Sequence, residues 1–347
     1  MTRERWGIAP PYRTLNAWKD TMESNNSIPD NGSEESFIFV LNNINVEGEL
    51  PIEVAPGHFL NRAHSEQTIK IKDLLQLCVP FGPSAIFNCL PYEADFSRTS
   101  GSSGYQLEPL PKEKWRYWIV SFKGPNTELE HIGSAASLLR NDLELGFTVF
   151  RKSSIAGGAG YGWHAPSLFS FFENQAMGQP AVSITVDELR EISENYNLIK
   201  NLSPDHEHIT RAFRKFRDLK SLPRSSELVT IGLFSLIESL VTHCPKLTES
   251  SDSLMHQIRT KIPLLSKLFR RRLDYLDYFD DAKEENIWNK LYEYRSRIVH
   301  GENSDLSGTL KVLKNRKTVH EFLKEITKLL LLLALREPTL LTDLKKC

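Results

Sequence analysis

The chemistry-bearing stretch of this chain is Tyr292-Glu293-Tyr294-Arg295-Ser296-Arg297-Ile298-Val299-His300-Gly301, at the end of a helical run that begins near Glu284. It sets Arg295 and His300 five positions apart. A histidine titrates near neutral pH and can give or take a proton. An arginine can hold a phosphate bidentately and stabilise charge that develops on it. The same residue types also gather at helix C-termini for the dipole alone, so the pattern carries chemistry only with support from its surroundings.

Spacing constrains that support. On an ideal helix Arg295 and His300 point about 140° apart. They converge only if the helix ends at His300, as Gly301 suggests, or if the site is composed across a two-fold axis. Arg297, one turn before His300, shares its face and ranks second as a phosphate contact.

The elements that must position these groups are helical. From Val186 onward the apolar positions recur every three or four residues, as in Ile209, Ala212, Phe213 and Phe216. Helices are expected over Asp205–Leu219, Ser226–His243, Ser251–Leu268, Glu284–His300 and Arg316–Arg336, together a bundle. Pro204 with Asp205 and Glu207 suits a helix start. The helix Leu228-Val229-Thr230-Ile231-Gly232-Leu233-Phe234-Ser235-Leu236-Ile237-Glu238-Ser239-Leu240 holds one carboxylate in an apolar run. An unpaired buried charge is costly, so Glu238 should have a partner unless it stands in water at the helix edge. Leu329 to Leu335 is apolar all round and is either the bundle centre or a contact between copies.

The first two hundred residues read differently. Residues 1–35 are rich in Pro, Asn, Ser and charge and read as a polar arm. Strand signals follow at Ser36–Leu41, Gln67–Ile71, Arg116–Phe122, Gly146–Arg151 and Ala181–Val186, with a short helix over Ser134–Leu143 and a Ser/Gly loop over Ser97–Gly104. Residues 36–198 therefore form an α+β or β-rich domain, without the regular βα alternation of a doubly wound sheet. Charge divides the same way. Residues 201–347 carry 26 Lys and Arg against 20 Asp and Glu, whereas 1–200 carry 17 against 24, which points to separate modules within a chain of net charge −1.

The stretch from Ile199 to Leu335 resembles a HEPN domain, in particular the ApeA-like branch of prokaryotic defence proteins. The resemblance rests on Ile209-Thr210-Arg211-Ala212-Phe213-Arg214-Lys215-Phe216, on Phe234-Ser235-Leu236-Ile237-Glu238-Ser239-Leu240, and on Leu291 to Gly301. It covers about two-fifths of the chain. What it implies is an α+β protein with a C-terminal all-α HEPN bundle at 199–347. The implied activity is a metal-independent endoribonuclease of antiviral defence or toxin type, with Arg295 and His300 catalytic at a homodimer interface. Cleavage would then proceed by attack of the RNA 2′-hydroxyl on phosphorus, leaving a 2′,3′-cyclic phosphate and a 5′-hydroxyl. Active members often carry Asn, Asp or His directly after the arginine, where this chain has Ser296. Other HEPN domains are non-catalytic scaffolds that bind RNA or a partner protein.

Further candidates are weaker. Lys267, Arg270, Arg271 and Arg272 with Phe269 form a basic cluster suited to RNA phosphates or to a solvated helix end. Asp274, Asp277, Asp280 and Asp281 follow and read as a polar loop or, in a rival reading, a metal site. His206-Glu207-His208 lacks the HExxH spacing, and Gly157-Gly158-Ala159-Gly160-Tyr161-Gly162 matches neither a P-loop nor a dinucleotide fingerprint, so that cluster and His164 read as a turn. Cys78, Cys89, Cys244 and Cys347 form no CxxC pair, so neither a disulfide framework nor a zinc cage is expected, and a reducing cytoplasm fits. No cofactor, metal or membrane span is expected. The N-terminal domain leaves room for an activating ligand.

Overall fold

A computed structural model describes residues 35–78, 91–98, 105–123, 128–150, 160–163, 181–244 and 253–346. The strands are β1 (Ser36–Val40), β2 (Ile44–Glu47), β3 (Ile52–Ala55), β4 (His58–Arg62), β5 (Ala94–Arg98), β6 (Tyr105–Pro109), β7 (Trp118–Phe122), β8 (Leu145–Phe150), β9 (Gly160–Trp163) and β10 (Val182–Thr185). Six of them form one antiparallel sheet in the order β3-β4-β7-β1-β8-β9. Ile38 of β1 stands opposite Val120 on one side and Thr148 on the other.

From Phe37 to Val40 the β1 run is apolar because both faces of the sheet are covered. Phe37 and Phe39 point into a core with Tyr117, Phe147 and helix α1 (Ser65–Cys78). Ile38 and Val40 point to the opposite face, closed by α2 (Leu129–Ala136) and α3 (Val186–Lys200) through Ile132, Leu189 and Ile192. β10 pairs in parallel with β2, and its last residue, Thr185, starts α3 with a reciprocal capping box to Glu188.

Two expectations need correction. Gln67–Ile71 belongs to α1, not to a strand. The Ile69-Lys70-Ile71 alternation misleads, because Gln67, Ile71, Leu74 and Leu75 are buried at helical spacing while Ile69 faces solvent. The short helix read over Ser134–Leu143 ends at Ala136, and the segment after it turns to place Asp142 and Glu144. Of the glycine cluster, Gly160 to Gly162 lie in the edge strand β9; Gly157, Gly158, Ala159 and His164 fall outside the described residues. The 1–35 arm falls outside them as well, apart from Glu35.

The C-terminal helices follow the periodicity closely. They are α4 (Glu207–Asp218), α5 (Glu227–Val241), α6 (Leu254–Ser266), α7 (Leu276–Phe279), α8 (Glu284–His300), α9 (Arg316–Arg336) and α10 (Pro338–Lys346). α9 is the bundle centre: every residue from Leu329 to Leu335 is buried in the helical core. Glu35–Cys347 is one compact unit. The expected 198/199 boundary falls inside α3, and the sheet and helical regions follow each other within this unit. Ile199 packs against both the sheet core and the helical core, and Leu138 reaches from the sheet region into the helical one.

Candidate functional site

α8 opens with Glu284 and Glu285 in its first turn and closes with Arg297 and His300 in its last, matching both ends of its dipole. It ends in a Schellman motif. Gly301 adopts φ 68°, its N–H donates to the Ile298 carbonyl, and the Glu302 N–H donates to the Arg297 carbonyl at 2.8 Å. Gly301 therefore stops the helix after His300. Both Arg295 and His300 lie inside it and stay about 140° apart.

The buried face of α8 is Ile287, Trp288, Leu291 and Tyr294. Arg295, one position past Tyr294, stands at the edge of that face and meets α5. Its Nη2 is 3.6 Å from Glu238 Oε2, with Arg295 25% and Glu238 14% exposed. This is the partner that the apolar setting of Glu238 requires. The pairing is incomplete: among the described residues neither Glu238 Oε1 nor Arg295 Nε has a hydrogen-bond partner. Burial pushes the Glu238 carboxyl above its ordinary value, and the nearby Arg295 only partly opposes this. The guanidinium also lies over the Tyr292 ring, 5.7 Å from its centroid.

Arg297 is occupied. It pairs with Glu293, donates to Thr309 Oγ1 at 3.1 Å and reaches the Asn303 carbonyl at 3.4 Å, while Glu293 also holds Lys290 at 2.8 Å. These bonds hold the Glu293 carboxyl below its ordinary value, that of Lys290 foremost. Ser296 is half-buried beside Arg295, and His300 is exposed.

The basic cluster divides. Arg270 pairs with Glu194 at 2.9 Å and Glu191 at 3.8 Å, both on α3, and Arg271 reaches Glu325 at 3.4 Å and the Leu138 carbonyl at 3.3 Å. These two arginines join the helical region to the sheet region. Lys267 and Arg272 remain on the surface. Asp280, one of the four aspartates that follow, holds Lys314 at 2.8 Å, and no metal-holding cluster occurs among the described residues.

Sequence reasoning missed a second ionic centre. Asp142, 7% exposed, is ringed by three lysines from the helical region: Lys328, itself only 3% exposed, with Lys324 at 2.6 Å and Lys220 at 3.3 Å. Lys328 also donates to the Leu139 carbonyl at 2.6 Å and the Arg140 carbonyl at 3.0 Å. The lysines hold the Asp142 carboxyl well below its ordinary value despite burial. Lys328 directly precedes the apolar run Leu329–Leu335 of α9, close to Lys324 and Glu325, so unlike Glu238 it does not stand out in the sequence.

Comparison of the chain with protein-family models, with curated proteins and with solved structures finds no match. Among the described residues no helix is long and apolar enough to cross a membrane.

Proposed function

We propose that this chain is a metal-independent endoribonuclease of HEPN type, its helical region a HEPN bundle that acts as a homodimer, in an antiviral-defence or toxin role. The observation that carries the reading is the state of Arg295: held in place by Glu238 and Tyr292, its Nε buried, with 25% of its side chain still exposed. Such a guanidinium is oriented, and its exposed part can meet a phosphate. His300, exposed at the end of the same helix, supplies the proton-transfer group.

On this reading the 2′-hydroxyl loses its proton and attacks phosphorus. The bond to the 5′-oxygen breaks, and that oxygen takes up a proton as it leaves. Arg295 stabilises the charge on the phosphoryl oxygens and His300 moves a proton. Because the two diverge on one helix, the working pair comes from two copies. A stripe fits that contact: Leu228, Ile231, Ser235 and Glu238 recur at helical spacing on α5, and Tyr292, Arg295 and Val299 on α8, with Leu228 and Val299 exposed. The ion pair to Glu238 also fits a second reading, a non-catalytic HEPN scaffold binding RNA or a partner protein, in which Arg295 only ties α8 to α5.

Incubating cellular RNA with purified protein in excess EDTA and mapping the new ends separates the two. The nuclease reading expects 2′,3′-cyclic phosphate ends from wild type and a loss on the order of a hundredfold or more in His300→Ala, with the fold retained. Equal cleavage by both proteins, or cleavage abolished by EDTA, overturns it. RNA binding without cleavage favours the scaffold.

A further inference from the structure

Arg295 and His300 diverge on α8, so the groups that fix His300 lie elsewhere. The side chain next to it on the same face is Arg297. Directly after it comes the turn Gly301 to Asn303, whose residues are exposed.

Two clusters tie that turn down. On α8, Glu293 Oε1 pairs with Arg297 and accepts from Thr309 Oγ1 at 3.0 Å, while Lys290 holds the other carboxylate oxygen at 2.8 Å. Arg297 also donates to Thr309 Oγ1 at 3.1 Å and reaches the Asn303 carbonyl at 3.4 Å. One guanidinium thus spans from the helical turn before His300 to the segment after it. On α5, Glu227 Oε1 accepts from Ser304 Oγ at 2.6 Å and from Arg316 Nη2 at 2.9 Å, and Arg316 donates to the Ser225 carbonyl at 2.6 Å.

Between the clusters, Asn303 Oδ1 accepts from the Asp305 N–H at 2.9 Å. Beyond them, Leu310 and Leu313 of the 3₁₀ turn Gly308–Leu313 are buried in the helical core. Residues 301–313 are therefore a strap fixed to α8, to the first turn of α5 and to the core. Part-exposed ion pairs of this kind add little to overall stability. They do remove freedom from the last turn of α8, where a helix otherwise frays, and that turn carries the imidazole.

We propose that Arg297, with Glu293 and Thr309, is a positioning residue for His300: the strap keeps the last turn of α8 formed, so that the imidazole meets the Arg295 of a second copy in one orientation. Arg297 then serves His300 and not the phosphate. The positioning role rests on the nuclease reading; the strap itself does not.

Two measurements on the full-length protein test them separately. Amide hydrogen exchange at Ile298 to Glu302 reads the strap, and steady-state cleavage of one oligoribonucleotide, split into kcat and KM, reads the positioning. Arg297→Ala should speed exchange at these amides on the order of tenfold and lower kcat on the order of tenfold at unchanged KM. Thr309→Val keeps the side-chain shape and removes the shared hydroxyl, so it should shift both in the same direction by less. Arg297→Lys can still pair with Glu293 but lacks the fork that also meets Thr309 and Asn303, and should recover part of both losses.

Unchanged exchange in Arg297→Ala and Thr309→Val overturns the strap. Faster exchange with kcat kept overturns the positioning role, and a raised KM with kcat kept makes Arg297 a phosphate contact instead. Wild type that cuts no RNA sinks the nuclease reading and the positioning role with it, whereas active wild type with unchanged exchange in the variants sinks the strap alone.

Discussion

Asp142 and Glu238 are both carboxylates withdrawn from solvent, and their surroundings treat them oppositely. Asp142 has three lysines around it, and its carboxyl is held well below the ordinary range. Glu238 has one arginine at 3.6 Å, an unsatisfied Oε1 and a carboxyl raised by burial. The first is an over-supplied charge joining the sheet region to the helical region. The second is under-supplied, with one arginine at its edge and no closer charge among the described residues. A buried carboxylate neutralised by several close charges holds the fold together, and one met by a single distant charge at an edge is the better candidate for a site.

The largest effect should come from breaking the over-supplied centre. Asp142→Asn removes the only carboxylate among the described residues that is ion-paired with Lys328 and leaves buried positive charge uncompensated, at a cost of about 3–5 kcal/mol. Urea unfolding followed by circular dichroism measures this. A loss below about 1 kcal/mol would erase the distinction between the two carboxylates.

Arg295→Ala sharpens the contrast from the other side. On the nuclease reading it removes phosphate stabilisation and lowers cleavage on the order of 10²–10³-fold. Stability should fall by only about 1 kcal/mol, because Glu238 is part-exposed and, with its carboxyl already raised, can take up a proton once the arginine is gone. A loss of stability matching that of Asp142→Asn would mark Arg295 as structural and favour the scaffold.

A pH test follows from Lys328, whose ammonium is pushed down to about 8, by burial first and by Lys324 second, against the pull of Asp142. Its folded-state value is depressed, so between pH 8 and its ordinary range the unfolded chain binds the extra proton. Stability from this group therefore rises with pH over that window, by at most about 1.4 kcal/mol per pH unit. The Lys324 ammonium is raised above its ordinary value, so its contribution is kept in this window and lost only at higher pH. Lys328→Met should flatten the slope between pH 8 and 9.5 in urea titrations. An unchanged slope would assign it to other groups.

The helical half was legible because burial there follows one period. Glu284–His300 and Arg316–Arg336 were read with the ends the structure gives them, set by the Asn315 cap, the Gly301 stop and apolar residues every third or fourth position. The sheet half was legible at its centre, where β1, β7 and β8 are mostly apolar and buried on both faces, and at β10, where the Ala181–Val186 strand is found. β3 and β4 are four and five residues long and expose Glu53 and Phe59 within their runs, which leaves little pattern to find. Glu238 was legible as a lone charge, and Arg295 as a candidate. That they meet was not, because it depends on how α5 and α8 cross. The Asp142 centre was hidden for a like reason: Lys220, Lys324 and Lys328 look like ordinary helix lysines until the turn after α2 delivers a carboxylate to them.

The smallest predicted effect tests whether the two carboxylate centres are independent. Gly232 lies on α5, two turns before Glu238, and a Cβ built there would stand 2.3 Å from Leu219 Cδ2. Leu219 adjoins Lys220 of the Asp142 centre and lines a cavity of about 550 Å³. Within a helix alanine is better than glycine by about 1 kcal/mol, and forcing a methyl group against a packed neighbour costs about 1–3 kcal/mol. Here the neighbour is the end of a leucine side chain bordering open space, so it can swing aside and the cost falls at the low end. Gly232→Ala should therefore change stability by less than about 1 kcal/mol in either direction. Combined with Arg295→Ala, the two changes should add within about 0.5 kcal/mol in urea unfolding, as expected of sites with no shared partner. A coupling larger than that would mean that α5 transmits strain between the Asp142 centre and the Arg295 pair, and the contrast between an architectural charge and a poised one would give way to a single linked network.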